Sequence, residues 1–281
     1  AALNILHPLY DACLERMEWF LAERRDAPPT DTRLPDFRAT LVQVDRHPNR
    51  RYFILKSIIV NNLYDVSVSP FRNYPKLSGT THVSVLNKLW KRGELTIAEV
   101  SSGAAGAHFI FYQEATQYWV KASMGFPYYA KNDIVGPQPH GRQVWLHSSQ
   151  KLETVFATLN SSLFYLFFVT YSDCFHLSNN VLLSFPIPQQ ILADQQLASP
   201  GQMLMEQLRV TADRKEIATQ SGDKIAYEEF SASKCEPIID EIDRVLAQHY
   251  GFTAEELDFI LNYDIKYRLG ADDEEEETTA D

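Results

Sequence analysis

Cysteine is scarce in this chain. Cys13, Cys174 and Cys235 are widely separated among its 281 residues. They form neither a metal-ligand spacing nor the even set of a disulfide framework, so they read as buried free thiols in a reducing cytoplasm. Long apolar runs are missing too. The most apolar stretch, Leu163 to Val169, falls far short of the roughly 18 residues of a membrane span, so no membrane partner is expected. The N-terminus has no charged leader with a cleavage site, and nothing in it suggests secretion. No pair of carboxylates has a setting that suggests hydrolysis, and no nuclease-type metal constellation is visible. Positive charge is also short: 26 Lys and Arg face 37 Asp and Glu, a net charge of -11. That balance argues against a general binder of nucleic acid. Seven of the acids lie in the tail, from Asp272 to Asp281; the rest of the chain carries -4 and can still present one basic face.

What is present is a globular composition, with 45% hydrophobic and 22% charged residues and an aromatic complement of 16 Phe and 14 Tyr. Leu6, Leu9, Tyr10, Cys13, Met17, Phe20 and Leu21 recur at helical spacing, and the chain reads as opening inside a helix. Asp36 to Val44 is a second candidate helix, and Tyr52 to Val60 is a helix or a buried strand. Turn formers after Val66 place a boundary, or a missing piece, between about residues 65 and 80. Strands are expected at 108–112 and 117–122 within a small twisted sheet, a helix over 152–170, and a short strand over 181–188. Further helices are expected over 203–219 and 235–250. The second has Pro237 in its first turn and Gly251 as its stop. Thr253 and Glu256 form a capping box for another helix, and from Gly270 the chain is acidic and expected to be disordered.

Three blocks resemble adenine-specific (N6) DNA methyltransferases of restriction–modification systems, the class that fuses methylation and target recognition in one polypeptide. The first is AALNILHPLYDACLERM (1–17), like the helix after that family's glycine-rich cofactor loop. The second is RYFILKSIIVNNLYDV (51–66), like the helix leading into the second cofactor strand, although Asp65 stands at the glycine position and Ser67 at the acidic one. The third comprises YWVKASMGFPYYAKND (118–133), LNSSLFYLFFVTYSDCFHLSNNVLLSFPIP (159–188) and HYGFTAEELDFILNYDIKYRLG (249–270), like the target-recognition region and its closing helices.

The resemblance implies an α+β chain: a partial helical remnant of an α/β methyltransferase domain (1–66), a mixed α/β target-recognition region (67–190), C-terminal closing helices (191–270) and an acidic tail (271–281). It implies S-adenosyl-L-methionine as cofactor of the parent enzyme. The chain itself has neither the glycine-rich loop nor an Asn-Pro-Pro-aromatic loop, so no cofactor and no methyl transfer are expected of it alone. The partner implied is double-stranded DNA, with a subunit of a restriction or defence system as a further possibility. A noncatalytic partner-binding remnant, or an enzyme whose middle lies outside this sequence, are the competing readings.

Recognition requires side chains at base edges, placed by phosphate contacts. The candidates are Lys121, Tyr128, Tyr129, Lys131, Asn132, Arg142, His176, Asn179 and Asn180, with Asn160 and Ser178 beside them. Lys121 and Arg142 suit phosphate or a guanine edge, or serve only surface solubility. Asn179 and Asn180 suit adenine or the backbone, or cap the turn before the 181–188 strand. His176 suits a phosphate or a structural role. Tyr128 and Tyr129 follow Pro127 in an expected loop and, with the lysines, suit stacking.

Overall fold

A computed structural model describes residues 75–116 and 118–265. They fall within one of the chain's two units, Tyr64–Asp281, the other being Ala1–Leu63. The elements expected over 6–21, 36–44 and 52–60, Cys13, and the acidic tail lie outside the described residues.

Helix α1 (Thr80–Arg92) buries His82, Val83, Val85, Leu86 and Leu89 along one side, the spacing of an amphipathic helix. After β1 (Leu95–Thr96), Thr96 and Glu99 form a capping box that starts the single turn α2 (Ile97–Val100). Strand β2 (His108–Gln113) is the centre of an antiparallel sheet in the order β3-β2-β6, with β3 at Ala122–Ser123 and β6 at Gly141–Leu146. Its register sets Phe111 opposite both Gln143 and Ser123. Strands β4 (Tyr129–Lys131) and β5 (Ile134–Val135) belong to a second antiparallel sheet described below.

The core is built on α3 (Ser149–Asn160) and α4 (Ser162–Tyr171). All 10 residues of α4 are buried, with Phe164, Phe167 and Phe168 wholly enclosed. Burial of each such side chain contributes about 1.5–3 kcal/mol. Residues 152–170 were expected to form one helix. They form two, bent by 65° at Ser161, whose ψ of 157° is extended and whose hydroxyl accepts Phe164 N–H at 3.0 Å. The pair would pass for a broken membrane span by length and composition. No single helix among the described residues is long and apolar enough to cross a membrane.

Two further elements differ from expectation. Residues 181–188 do not form one strand: Ser178 caps a short helix, α5 (Asn179–Leu183), and only β7 (Pro186–Ile187) is extended, pairing with β1. Both prolines end up where little ladder bonding is lost. Residues 203–219 do not form one helix. After α6 (Gln189–Asp194), α7 (Ala198–Val210) stops at Thr211, and β8 (Asp213–Ala218) returns through a turn at Gly222 to β9 (Lys224–Glu229). The stretch DRKEIA lacks the 3.6-residue apolar period that would hold a helix to the core. The region 191–270 is therefore not wholly helical, and its hairpin completes the second sheet in the order β5-β4-β9-β8.

A 3-10 turn at Ser233–Cys235 leads into α8 (Glu236–Tyr250), and α9 (Ala254–Leu261) follows. Here the local signals hold. Pro237 occupies the first turn of α8, Gly251 adopts φ 68° at its end, and the Thr253–Glu256 box caps α9. The described residues thus mix helices with antiparallel strands.

Candidate nucleic-acid interface

The sequence candidates separate into two groups. One lies around the end of β2. Arg142 pairs with Glu114 there, at the rim of the three-stranded sheet. The hydroxyl of Tyr112 donates to Asn179 Oδ1, so that amide is already engaged, and burial pushes the phenol up to about 12. Asn179 and Asn180 are the first residues of α5 and are exposed; the cap of that helix is Ser178, accepting Val181 N–H at 3.3 Å. His176 is exposed and sits 3.3 Å from Asp173, whose carboxylate also takes the His176 and Phe175 backbone N–H groups.

The second group is spread over the junction of β3 with α3 and the four-stranded sheet. A strand is expected over 117–122, but of the described residues 118–122 only Ala122 enters one. Trp119 N–H closes a turn on Thr116, and the indole is buried with its Nε1–H on Asn160 O at 3.2 Å. Asn160 is buried as well. Its amide bonds to both the N–H and the carbonyl of Ala122, so it ties β3 to α3 and is not available to a base. Lys121 is half-buried and lines a cleft with Phe111, Gln113, Pro127, Tyr227 and Glu229. Burial lowers its ammonium pKa, only partly offset by Glu229.

Tyr129, half-buried, and Lys131 stand at the two ends of β4, and Tyr128 immediately precedes it. The hairpin from β4 to β5 turns on Asn132 (φ 52°) and Asp133 (φ 65°), the two left-handed residues that a tight hairpin of this hand requires. Asn132 is pinned: its Nδ2 donates to Asp223 at 2.8 Å and its Oδ1 accepts Lys224 N–H at 2.8 Å. Lys131 pairs with the same Asp223 at 2.7 Å, which raises the lysine and lowers the acid. Lys224 is held by Glu216, Lys215 by Glu229 and Lys234 by Asp213.

Arg214 was missed, because β8 was read as the end of a helix. It is exposed, and its guanidinium carbon lies 3.8 Å from the centroid of the Tyr128 ring. The signal that would have found it is the alternation of KIAYEE after the SGD turn, which marks a hairpin.

Among the described residues no group of His, Cys, Asp and Glu is placed to hold a metal ion. Cys235 is buried, as expected, but Cys174 is exposed, because its φ of 63° turns the chain outward after α4 and sets its sulfur 3.0 Å from Lys76 Nζ.

No family model, curated protein or solved structure matches this chain. The description of a cytoplasmic, S-adenosylmethionine-dependent DNA methyltransferase is corrected accordingly: it has no matching relative behind it, and neither a cofactor motif nor an established DNA-binding motif is recognisable among the described residues.

Proposed function

We propose that residues 75–265 recognise duplex DNA through the four-stranded sheet and the rim carrying Arg142. The observation that supports this most directly is the contact of Arg214 on β8 with the Tyr128 ring just before β4, beside a hairpin turn where Asn132 is pinned, so that Asn132 and Arg214 are held by side-chain contacts before any ligand arrives. Preorganised polar groups lose less freedom on binding, and rigid strands place side chains more accurately than loops do. Ion pairs such as Lys131 with Asp223 let the sheet exchange carboxylates for phosphates, so affinity should fall with salt.

A second reading, a protein-binding surface, is favoured by edge strand β5, where Ile134 and Val135 are 75% and 65% exposed. Titration of the full chain with a pool of fluorescent duplexes at two salt concentrations decides between them. Saturable binding that weakens as salt rises supports duplex recognition. The absence of binding to any duplex at low salt rejects it.

A further inference from the structure

One cation on the four-stranded sheet differs from its neighbours. Lys131, Lys215, Lys224 and Lys234 each sit within ion-pair distance of a carboxylate. Arg214 has a carboxylate directly opposite it in register, Glu228 on β9, yet the two form no ion pair. Glu228 is committed elsewhere: its Oε2 accepts the Tyr128 backbone N–H at 3.0 Å. That bond, together with Glu228 N–H on Tyr128 O at 3.0 Å, fixes the Tyr128 residue against β9. The guanidinium of Arg214 lies across the Tyr128 ring instead, and among the described residues no carboxylate or carbonyl takes its N–H groups.

We propose that Arg214 reads a guanine edge in the major groove, with Tyr128 as the positioning residue that holds the guanidinium plane. This rests on the duplex-recognition reading above. A ring occupies the face of a guanidinium and leaves the in-plane donors free along its edge. Those donors form the planar fork that matches guanine O6 and N7, a match that a lysine ammonium does not reproduce in a fixed plane. The setting suits the groove. Strand β8 is the edge of the four-stranded sheet, joined to β9 by six antiparallel pairs, and it is exposed along its whole length, so Arg214 stands on an accessible border strand that can approach base edges in the groove. Lys215 and Ile217 alternate to the other face of β8, so along this strand Arg214 shares its face with Glu216, which Lys224 already pairs.

The test is selection from a randomised duplex pool by the full chain, run in parallel for the native protein, Arg214→Lys, Arg214→Ala and Tyr128→Leu. Both substituted positions are at least partly exposed, and unfolding midpoints confirm that each variant folds. The native protein is expected to enrich a motif with at least one G·C pair. Arg214→Lys keeps most duplex affinity but loses roughly tenfold or more of its preference for guanine at one position. Tyr128→Leu weakens the same position and no other. An unchanged motif in both Arg214 variants overturns the assignment while leaving duplex recognition standing. A uniform loss of affinity with the motif intact also overturns it, because Arg214 would then touch phosphate only. A native protein that binds no duplex overturns both readings.

Discussion

Asp243 on α8 caps Ser162 at the start of α4: its carboxylate accepts the Ser162 N–H at 2.9 Å and the Leu163 N–H at 3.1 Å, while Asp243 itself is only 2% exposed. The first turn of a buried helix has orphan N–H groups and the positive end of its dipole, and a carboxylate answers both. Removal leaves two buried donors without partners. Asp243→Ala is expected to lose about 2–4 kcal/mol, measured by urea unfolding. A change below about 0.5 kcal/mol would show that Ser161 alone sustains the helix start.

His82 makes stability depend on pH in a predictable direction. It is fully enclosed. Its Nδ1 accepts Ser78 N–H at 3.2 Å and its Nε2 faces Thr170 Oγ1 at 2.8 Å; that hydroxyl in turn donates to Leu166 O. This arrangement suits the neutral ring, and burial lowers its pKa from 6.5 to about 3. Between those values the unfolded chain takes up a proton that the folded chain refuses. The contribution is complete above pH 6.5 and declines as pH falls toward 3, by about 1.4 kcal/mol per pH unit. His82→Asn is expected to be less stable at pH 7 but to lose stability about one proton less steeply on acidification. Equal slopes in urea titrations between pH 7 and pH 4 would refute the assignment.

Lys121 is the opposite case, a desolvated ammonium that makes no hydrogen bond or ion pair among the described residues. Lys121→Met keeps the packing of the stem and removes the charge. A gain of about 1 kcal/mol is expected. Duplex affinity should stay within about twofold, since a half-buried lysine supplies little to a phosphate. A lowered melting temperature, or a clear loss of duplex binding, would return Lys121 to the interface.

Gly141 faces Phe111 across the β2–β6 pairing so closely that a Cβ would lie 2.0 Å from the ring. Phe111 is only 2% exposed, so its ring can yield only by repacking its neighbours. Gly141→Ala is expected to destabilise by about 1–3 kcal/mol through overpacking. Because Arg142 is the next residue, the same variant should disturb its pairing with Glu114, seen as a change in the salt dependence of duplex binding if that rim touches DNA.

Of the expected contacts, Lys131 and Asn132 meet at Asp223 and Tyr128 lies at the other end of β4 against Arg214, whereas Asn160 and Lys121 turn inward and Asn179 is engaged by Tyr112. Residue type suggested polarity and reach, but not direction. An Asn inside an expected helix looks the same whether its amide meets water or the backbone of Ala122. Arg214 differs again: nothing within DRKEIA marks a strand, and only the alternation of its partner β9 beyond the SGD turn points to one.

The sequence by itself determined the elements whose boundaries are local events. Pro237 and Gly251 bound α8, Thr253 and Glu256 begin α9, and the apolar run at 108–112 makes β2, because each depends on backbone geometry within a few residues. Tertiary structure decided the rest. The break at Ser161 is held by a carboxylate 81 residues from Ser162, β8 forms by pairing across a turn, and the guanidinium of Arg214 is seated over the ring of a tyrosine that precedes another strand. In these cases the favourable energy comes from partners distant along the chain, and no window of local sequence contains both halves of the interaction.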